Sequence, residues 1–178
     1  MTGFRRLPGL PAYGPMAIGF PPEWGTLGRE GLVVEFAVAD GTIWAGNFRP
    51  GLGGLNDVRS HPNENDVLVT SAGALWQVNP QTVSAKQIAP AIFEVWRLNE
   101  SGDLLFNDQG VAFLRLGPSG IVWHTRRISW DGFRGLHLDS KVLIGEAWSP
   151  IENNWLSFVV DLKTGHVDGG SLFWTRDA

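Results

Sequence analysis

Val34, Phe36 and Val38 alternate with Glu35 and Ala37, the two-residue period of a strand with one buried face. Asp40-Gly41 follows, a dipeptide suited to a two-residue type I′ turn, and Thr42-Ile43-Trp44-Ala45 returns. That turn predicts a β-hairpin with Val38 opposite Ile43 and Ala37 opposite Trp44. Residues 49–66 carry loop chemistry, from Arg49-Pro50-Gly51 to His61-Pro62-Asn63-Glu64-Asn65-Asp66. Strand patterning resumes at 67–70, turns at Ser71-Ala72-Gly73 and returns over 74–78. Asn79-Pro80-Gln81-Thr82 then leads into a weaker strand near 83–88.

The next two stretches resemble each other. Strands are predicted at 93–98, 104–107, 111–116 and 121–127, and again at 134–138, 142–148, 155–161 and 166–167. Turns at Asn99-Glu100-Ser101-Gly102, Gly117-Pro118-Ser119-Gly120, Asp139-Ser140 and Leu162-Lys163-Thr164-Gly165 separate them. Each stretch is a four-stranded meander, and the two repeat at roughly 40 residues, the spacing of propeller blades. No segment sustains a 3.6-residue apolar period, so little helix is expected. The reading is an all-β fold: antiparallel meanders of about eleven strands forming a sandwich or barrel. The alternative is an incomplete propeller-like array of three blades, since closed propellers have roughly four to eight.

Residues 1–30 hold Pro8, Pro11, Pro15, Pro21 and Pro22, which fix φ and remove backbone donors, so an extended N-terminal arm is expected ahead of a single domain over 31–178. Phe4, Tyr13, Met16, Ile18, Phe20 and Trp24 give the arm apolar surface to bury. It either packs over its own sheet or reaches across to a second subunit as a homo-oligomer. Arg5 and Arg6 imitate the start of a signal peptide, but no apolar stretch follows and none is long enough to span a membrane.

Composition narrows the function classes. Twenty-three glycines and 11 prolines suit many short turns, and 43 % apolar residues can fill a core. Cysteine is absent, which removes disulfides, thiolate metal sites and a cysteine nucleophile, and fits a cytoplasmic protein. A net charge of −4, with basic residues gathered at one connector only, speaks against nucleic acid. No glycine-rich phosphate loop, Gly-Lys-Ser/Thr or Gly-x-Ser-x-Gly motif occurs.

The chemistry-bearing residues fall into two groups. The connector between the meanders, Arg126-Arg127-Ile128-Ser129-Trp130-Asp131-Gly132-Phe133-Arg134, gathers three guanidinium groups around aromatics and a carboxylate. Arg126, Arg127, Trp130, Asp131 and Arg134 can bind an acidic partner or satisfy one another, with Asp131 capping the turn. Among nine tryptophans, Trp44, Trp76, Trp96 and Trp123 are expected to fill space between sheets. Trp148 and Trp155 flank the polar loop 149–154 and are the candidates for exposure. His137, Asp139 and Glu146 at strand spacing are the nearest approach to a metal set, and an outward polar face produces the same pattern.

Four segments carry a family resemblance: Arg29-Glu30-Gly31-Leu32-Val33-Val34-Glu35-Phe36, Ile43-Trp44-Ala45-Gly46-Asn47-Phe48, Arg127-Ile128-Ser129-Trp130-Asp131-Gly132, and Val160-Asp161-Leu162-Lys163-Thr164-Gly165 closing on Gly169-Gly170-Ser171. Together they resemble a family of small bacterial all-β proteins of unassigned activity, which implies no catalytic or binding residue. The function expected is a non-enzymatic binding domain with a protein partner and no cofactor or metal. Two alternatives stand beside it. One is a carbohydrate-binding module using Trp148 and Trp155; the other is a hydrolase pairing acids such as Asp161 and Asp168 with Glu146 or Glu152.

Overall fold

The computed structural model describes residues 3–26 and 28–172, so Trp174 and the tail beyond Leu172 lie outside the described residues. The fold is all-β apart from one five-residue helix, α1 Pro22–Thr26. Two compact units meet between Ile92 and Phe93, where the sequence reading places its only boundary near residue 30.

In the first unit, β1 Gly3–Arg6, β2 Ile18–Phe20, β3 Leu32–Ala37 and β4 Ile43–Phe48 form a sheet in the order β1-β3-β4-β2. The N-terminal segment therefore spends its pairing capacity at home: β1 runs antiparallel to β3 and β2 parallel to β4, one at each edge. The β3–β4 hairpin forms, but its register differs by one residue from expectation, with Ala37 opposite Ile43 and Phe36 opposite Trp44. The cause is local. Val38 O accepts from Gly41 N, Val38 N donates to Thr42 O, and Asp40 Oδ1 accepts from Thr42 N at 2.8 Å. This makes a three-residue loop in which Gly41 alone takes a positive φ, 89°, the turn-plus-bulge alternative to type I′.

The second sheet is a meander of β5 Asp57–Ser60, β6 Val67–Ser71, β7 Ala74–Asn79 and β8 Ser84–Ala89. Residues 57–60 had read as loop because a single valine gives no periodicity; β5 exists through its pairing with β6. What the sequence presents as one irregular unit over 34–88 is thus two sheets. They share a core of Phe20, Phe36, Trp44, Phe48, Trp76 and aliphatic neighbours, and Trp44 Nε1 donates to Pro80 O across it.

A buried polar loop joins β5 to β6. His61 Nδ1 accepts from Asn63 N at 3.0 Å, and the imidazole is fully buried. Asp66 accepts from the side-chain amides of Asn63, Gln77 and Asn79. Burial pushes the His61 pKa down, against the opposing charge of Asp66 and the Asn63 bond. Burial alone would raise Asp66, but its three amide donors outweigh it and hold the carboxyl below its ordinary value. A base with a lowered folded pKa contributes stability that is present above its unfolded value, about 6.5, and lost as pH falls through the folded value. The melting temperature should therefore fall on acidification from about pH 7.5 to about pH 5.5. His61→Asn, whose Oδ1 can accept from Asn63 N, should flatten that dependence. An unchanged pH profile in the variant would remove His61 as its source.

The second unit holds two further four-stranded meanders, the unit a propeller uses as a blade. The first comprises β9 Ile92–Arg97, β10 Leu104–Asp108, β11 Ala112–Gly117 and β12 Gly120–His124. The other comprises β13 Phe133–Leu138, β14 Val142–Ser149, β15 Asn154–Asp161 and β16 Val167–Gly169. Both follow the predicted meanders closely. Among the described residues this makes four open sheets and sixteen strands, where the sequence reading counts three blades and about eleven strands. Leu105, Phe113, Ile128, Leu143, Phe158 and Val160 form the buried core of this unit. Phe113 is its aromatic centre, stacked on Phe133 with centroids 4.7 Å apart and tilted against Phe158 and Trp96.

Candidate functional site

Strand alternation divides the β13–β16 sheet into two faces. Phe133, Leu143, Ala147, Phe158, Val160 and Val167 point into the unit's core. The residues between them point the other way, and cross-strand pairing sets them in rows: Arg134 with Glu146, Ile144 with His137 and Val159, Trp148 with Trp155. This outer face carries two apolar pairs, Ile144 with Val159 and Trp148 with Trp155, separated by the polar row of Arg134, Glu146 and Ser157. Ile144 is 40 % exposed and Val159 39 %, although each sits on an interior strand of the sheet.

Trp148 and Trp155 are half-buried, because each indole covers the other: their centroids lie 5.3 Å apart with the planes tilted by 58°. The Arg134 guanidinium sits 4.7 Å over the Trp155 ring while its Nε donates to Glu146 Oε2 at 2.7 Å. The cation thus lies between a carboxylate and a π face, both on the solvent side.

The connector approaches the same face at the Trp148 end. Trp130, 38 % exposed, donates its N–H to Trp148 O and to Ser171 Oγ, and Arg127 lies 5.7 Å over its ring. Asp131 is exposed, and its backbone N–H donates to Ser129 Oγ. Arg126 and Arg127 are exposed, and their guanidinium groups bond the main chain. Arg126 donates to the carbonyls of Leu172, Gly169 and Arg127, and Arg127 donates to those of Ser129 and Trp130. Main-chain carbonyls therefore take up donors that an acidic partner would need.

Sequence reasoning missed the residue that organises this corner. Ser129 is fully buried; its Oγ donates to Gly132 O at 2.5 Å and accepts from Asp131 N and Trp148 N. One hydroxyl thus fixes the connector to the end of β14. A serine followed by Trp-Asp-Gly marks a side chain-capped turn, the signal that could have found it. Ile144 and Val159 were also missed, since alternation alone marks them as facing away from Leu143 and Val160 without saying which face water reaches.

The groups considered for catalysis or metal are placed differently. Asp161 Oδ1 accepts from the hydroxyl and N–H of Thr164, which hold its pKa below the ordinary value. Asp168 faces His166 at 3.3 Å, and Glu146 is paired with Arg134. Glu152 is an exposed loop residue. His137 stands opposite Ile144 on β13, while Asp139 lies in the turn beyond the strand, its Oδ1 accepting from Ser140 N. Among the described residues no helix is long and apolar enough to cross a membrane.

No protein-family model and no curated protein matches the chain. Solved structures show a distant likeness. The extracellular domain of a one-component system from B. thetaiotaomicron aligns at 12 % identity over 78 % of this chain and 21 % of its own, with a TM-score of 0.43. BamB from Moraxella catarrhalis aligns at 12 % identity over 98 % of this chain and 53 % of its own, with a TM-score of 0.40. The β-propeller domain of Cps50 (Swd1) from Myceliophteria thermophila aligns at 12 % identity over 81 % and 64 %, with a TM-score of 0.38. The chain spans about half or less of the length of the first two.

Proposed function

We propose that the chain is a non-enzymatic protein-interaction domain whose contact surface is the outer face of the β13–β16 sheet. The observation that carries this reading is the apolar row of Ile144 and Val159 beside Trp148 and Trp155, solvent-facing on a sheet whose other side is packed. Aromatic and arginine side chains beside aliphatic ones are the composition of interaction hot spots. Arg134, Glu146 and Ser157 form a polar row between the two apolar pairs, with His137 beside Ile144, and set orientation. The arginines of the connector hold its backbone and support the face rather than forming a separate anion site.

Sugar binding is the weaker reading. A pyranose ring stacks on an open indole face, but here Arg134 covers Trp155 and the two indoles close on one another at a steep tilt.

Partner capture should be compared between the native protein and its Trp155→Ala and Ile144→Lys variants, with Leu52→Ala as a control at an exposed position in the first unit. Each variant of the face should reduce capture roughly tenfold or more, the loss expected for a hot spot. Equal capture by all four proteins would exclude this surface. A glycan-induced shift in tryptophan fluorescence that disappears in Trp155→Ala would instead favour the carbohydrate reading.

A further inference from the structure

The outer face of the β13–β16 sheet is self-complementary in its pattern. Strand pairing arranges it in rows. Val142 and Asp161 form the row at the turn end, and His137, Ile144, Val159 and Asp168 form the next. Arg134, Glu146 and Ser157 follow, and this row ends at Gly170, whose N–H donates to Ser157 O at 3.0 Å. Trp148 and Trp155 close the face at the connector end. The charges balance within it. Arg134 is paired with Glu146, and Asp161 accepts from Thr164. That leaves exposed His137 at the β13 edge and exposed Asp168, 3.3 Å from His166, at the β16 edge.

A two-fold axis parallel to the strands, between β14 and β15, lays a second copy of this sheet on the first with every row kept level. Strand β13 of one copy then lies over β16 of the other, and β14 over β15. Ile144 meets Val159 of the second copy, a contact made twice. Trp148 meets Trp155 together with the Arg134 guanidinium that covers it, which sets the cation between indoles. Glu146 meets Ser157, whose hydroxyl donates to the carboxylate, and the His137 ring meets Asp168. The Arg134 stem lies over Gly169-Gly170, which present no side chain to obstruct it. Aligned sheets cross at roughly 30°, so a corner such as Asp161 over Val142 splays into water. A two-fold across the strands does not work, because it sets Arg134 on Arg134 and Glu146 on Glu146.

We infer that this face docks a second copy of the chain, making a two-fold dimer in which β14 of each copy lies over β15 of the other. The inference rests on the proposed reading of the face as an interaction surface and names its partner. A second copy is selected because each row of the face is matched by the same row turned over, apolar on apolar and acid on hydroxyl or imidazole. The N-terminal arm takes no part, since β1 and β2 pair within their own sheet. A four-stranded face of this size covers on the order of 1,000 Å² in all, the lower limit of a specific interface, so the dimer should dissociate on dilution.

The test is sedimentation velocity on the full chain across a dilution series in the micromolar range. The mass should rise with concentration from that of one chain towards that of two. Ile144→Lys and Val159→Glu should each weaken the dimer roughly tenfold or more, because each sets two charges against apolar partners. Mixed in equal amounts, the two variants should pair again. The introduced lysine of one then faces the introduced glutamate of the other, while Val159 faces Ile144 at the remaining contact. Ser157→Trp, which blocks the Glu146 contact by bulk alone, should weaken the dimer without a change of charge. Leu52→Lys, at an exposed position in the first unit, should leave it unchanged. Circular dichroism spectra should match that of the native chain, since all four altered side chains are exposed. A native chain that stays monomeric throughout, face variants that dimerise as it does, or a mixture that fails to pair would each overturn the inference. Capture of a different protein by a monomeric chain, lost in Trp155→Ala, would overturn it and leave the interaction reading of the face standing. Mass and capture both indifferent to the face variants would end both.

Discussion

Phe113→Ala should destabilise the second unit by about 3–5 kcal/mol, the largest effect expected of any single substitution discussed for this chain. Phe113 is fully buried on β11 and contacts aromatic rings from both sheets: Trp96 on β9, Phe133 on β13 and Phe158 on β15. Removing its ring opens a cavity that the sheets cannot readily close, because β11 itself and β15 opposite it are each held by ladder bonds on both sides. Urea unfolding followed by near-ultraviolet circular dichroism measures the effect as a lower midpoint at unchanged slope. Phe113→Leu, which keeps much of the volume, should cost markedly less. Tyr13→Ala, at an almost fully exposed position, should stay within about 0.5 kcal/mol of the native protein. A Phe113→Ala loss no greater than that of Tyr13→Ala would show that the two sheets do not share this core.

Ser129→Ala comes next, at about 1–3 kcal/mol, the cost of leaving buried polar groups without their partner. Little packing volume is lost, so the effect isolates hydrogen bonding. The Ser129 hydroxyl serves Gly132 O, Asp131 N and Trp148 N, and alanine can serve none of them. The substitution should also loosen Trp148 against Trp155, seen as a changed near-ultraviolet tryptophan signal in the folded baseline. Ser140→Ala, in an exposed turn, provides the control. An unchanged midpoint and an unchanged tryptophan signal would refute the role assigned to Ser129.

The two predictions separate what could be read along the chain from what could not. The meanders over 92–124 and 133–169 were legible because each strand alternates strongly and each turn carries its own chemistry. The β6–β7 hairpin was legible for the same reason: Ala72 and Gly73 take the positive φ values, 41° and 88°, that a two-residue turn demands. Strands β1, β2 and β5 were not. Gly-Phe-Arg-Arg, Ile-Gly-Phe and Asp-Val-Arg-Ser are too short to show a period, and each is a strand only because a neighbour offers a free edge. The β3–β4 register slipped by one because Asp40 bonds Thr42 N through its side chain, a competition that the Asp-Gly pair alone does not reveal.

The candidate site shows the same division. Trp148 and Trp155 flanking a polar loop could be read directly, and so could the crowding of arginines in the connector. That Arg126 and Arg127 are spent on carbonyls more than 40 and two or three residues away could not, since those acceptors are brought near by folding. Period and turn chemistry act over a few residues, so the sequence by itself determined an all-β chain, its meanders and the sharing of faces within each strand. Which face water reaches and which guanidinium groups are taken up by distant carbonyls depend on contacts between segments far apart in the chain. Only the tertiary structure decided those, because burial and pairing are properties of the packed sheets and not of any one strand.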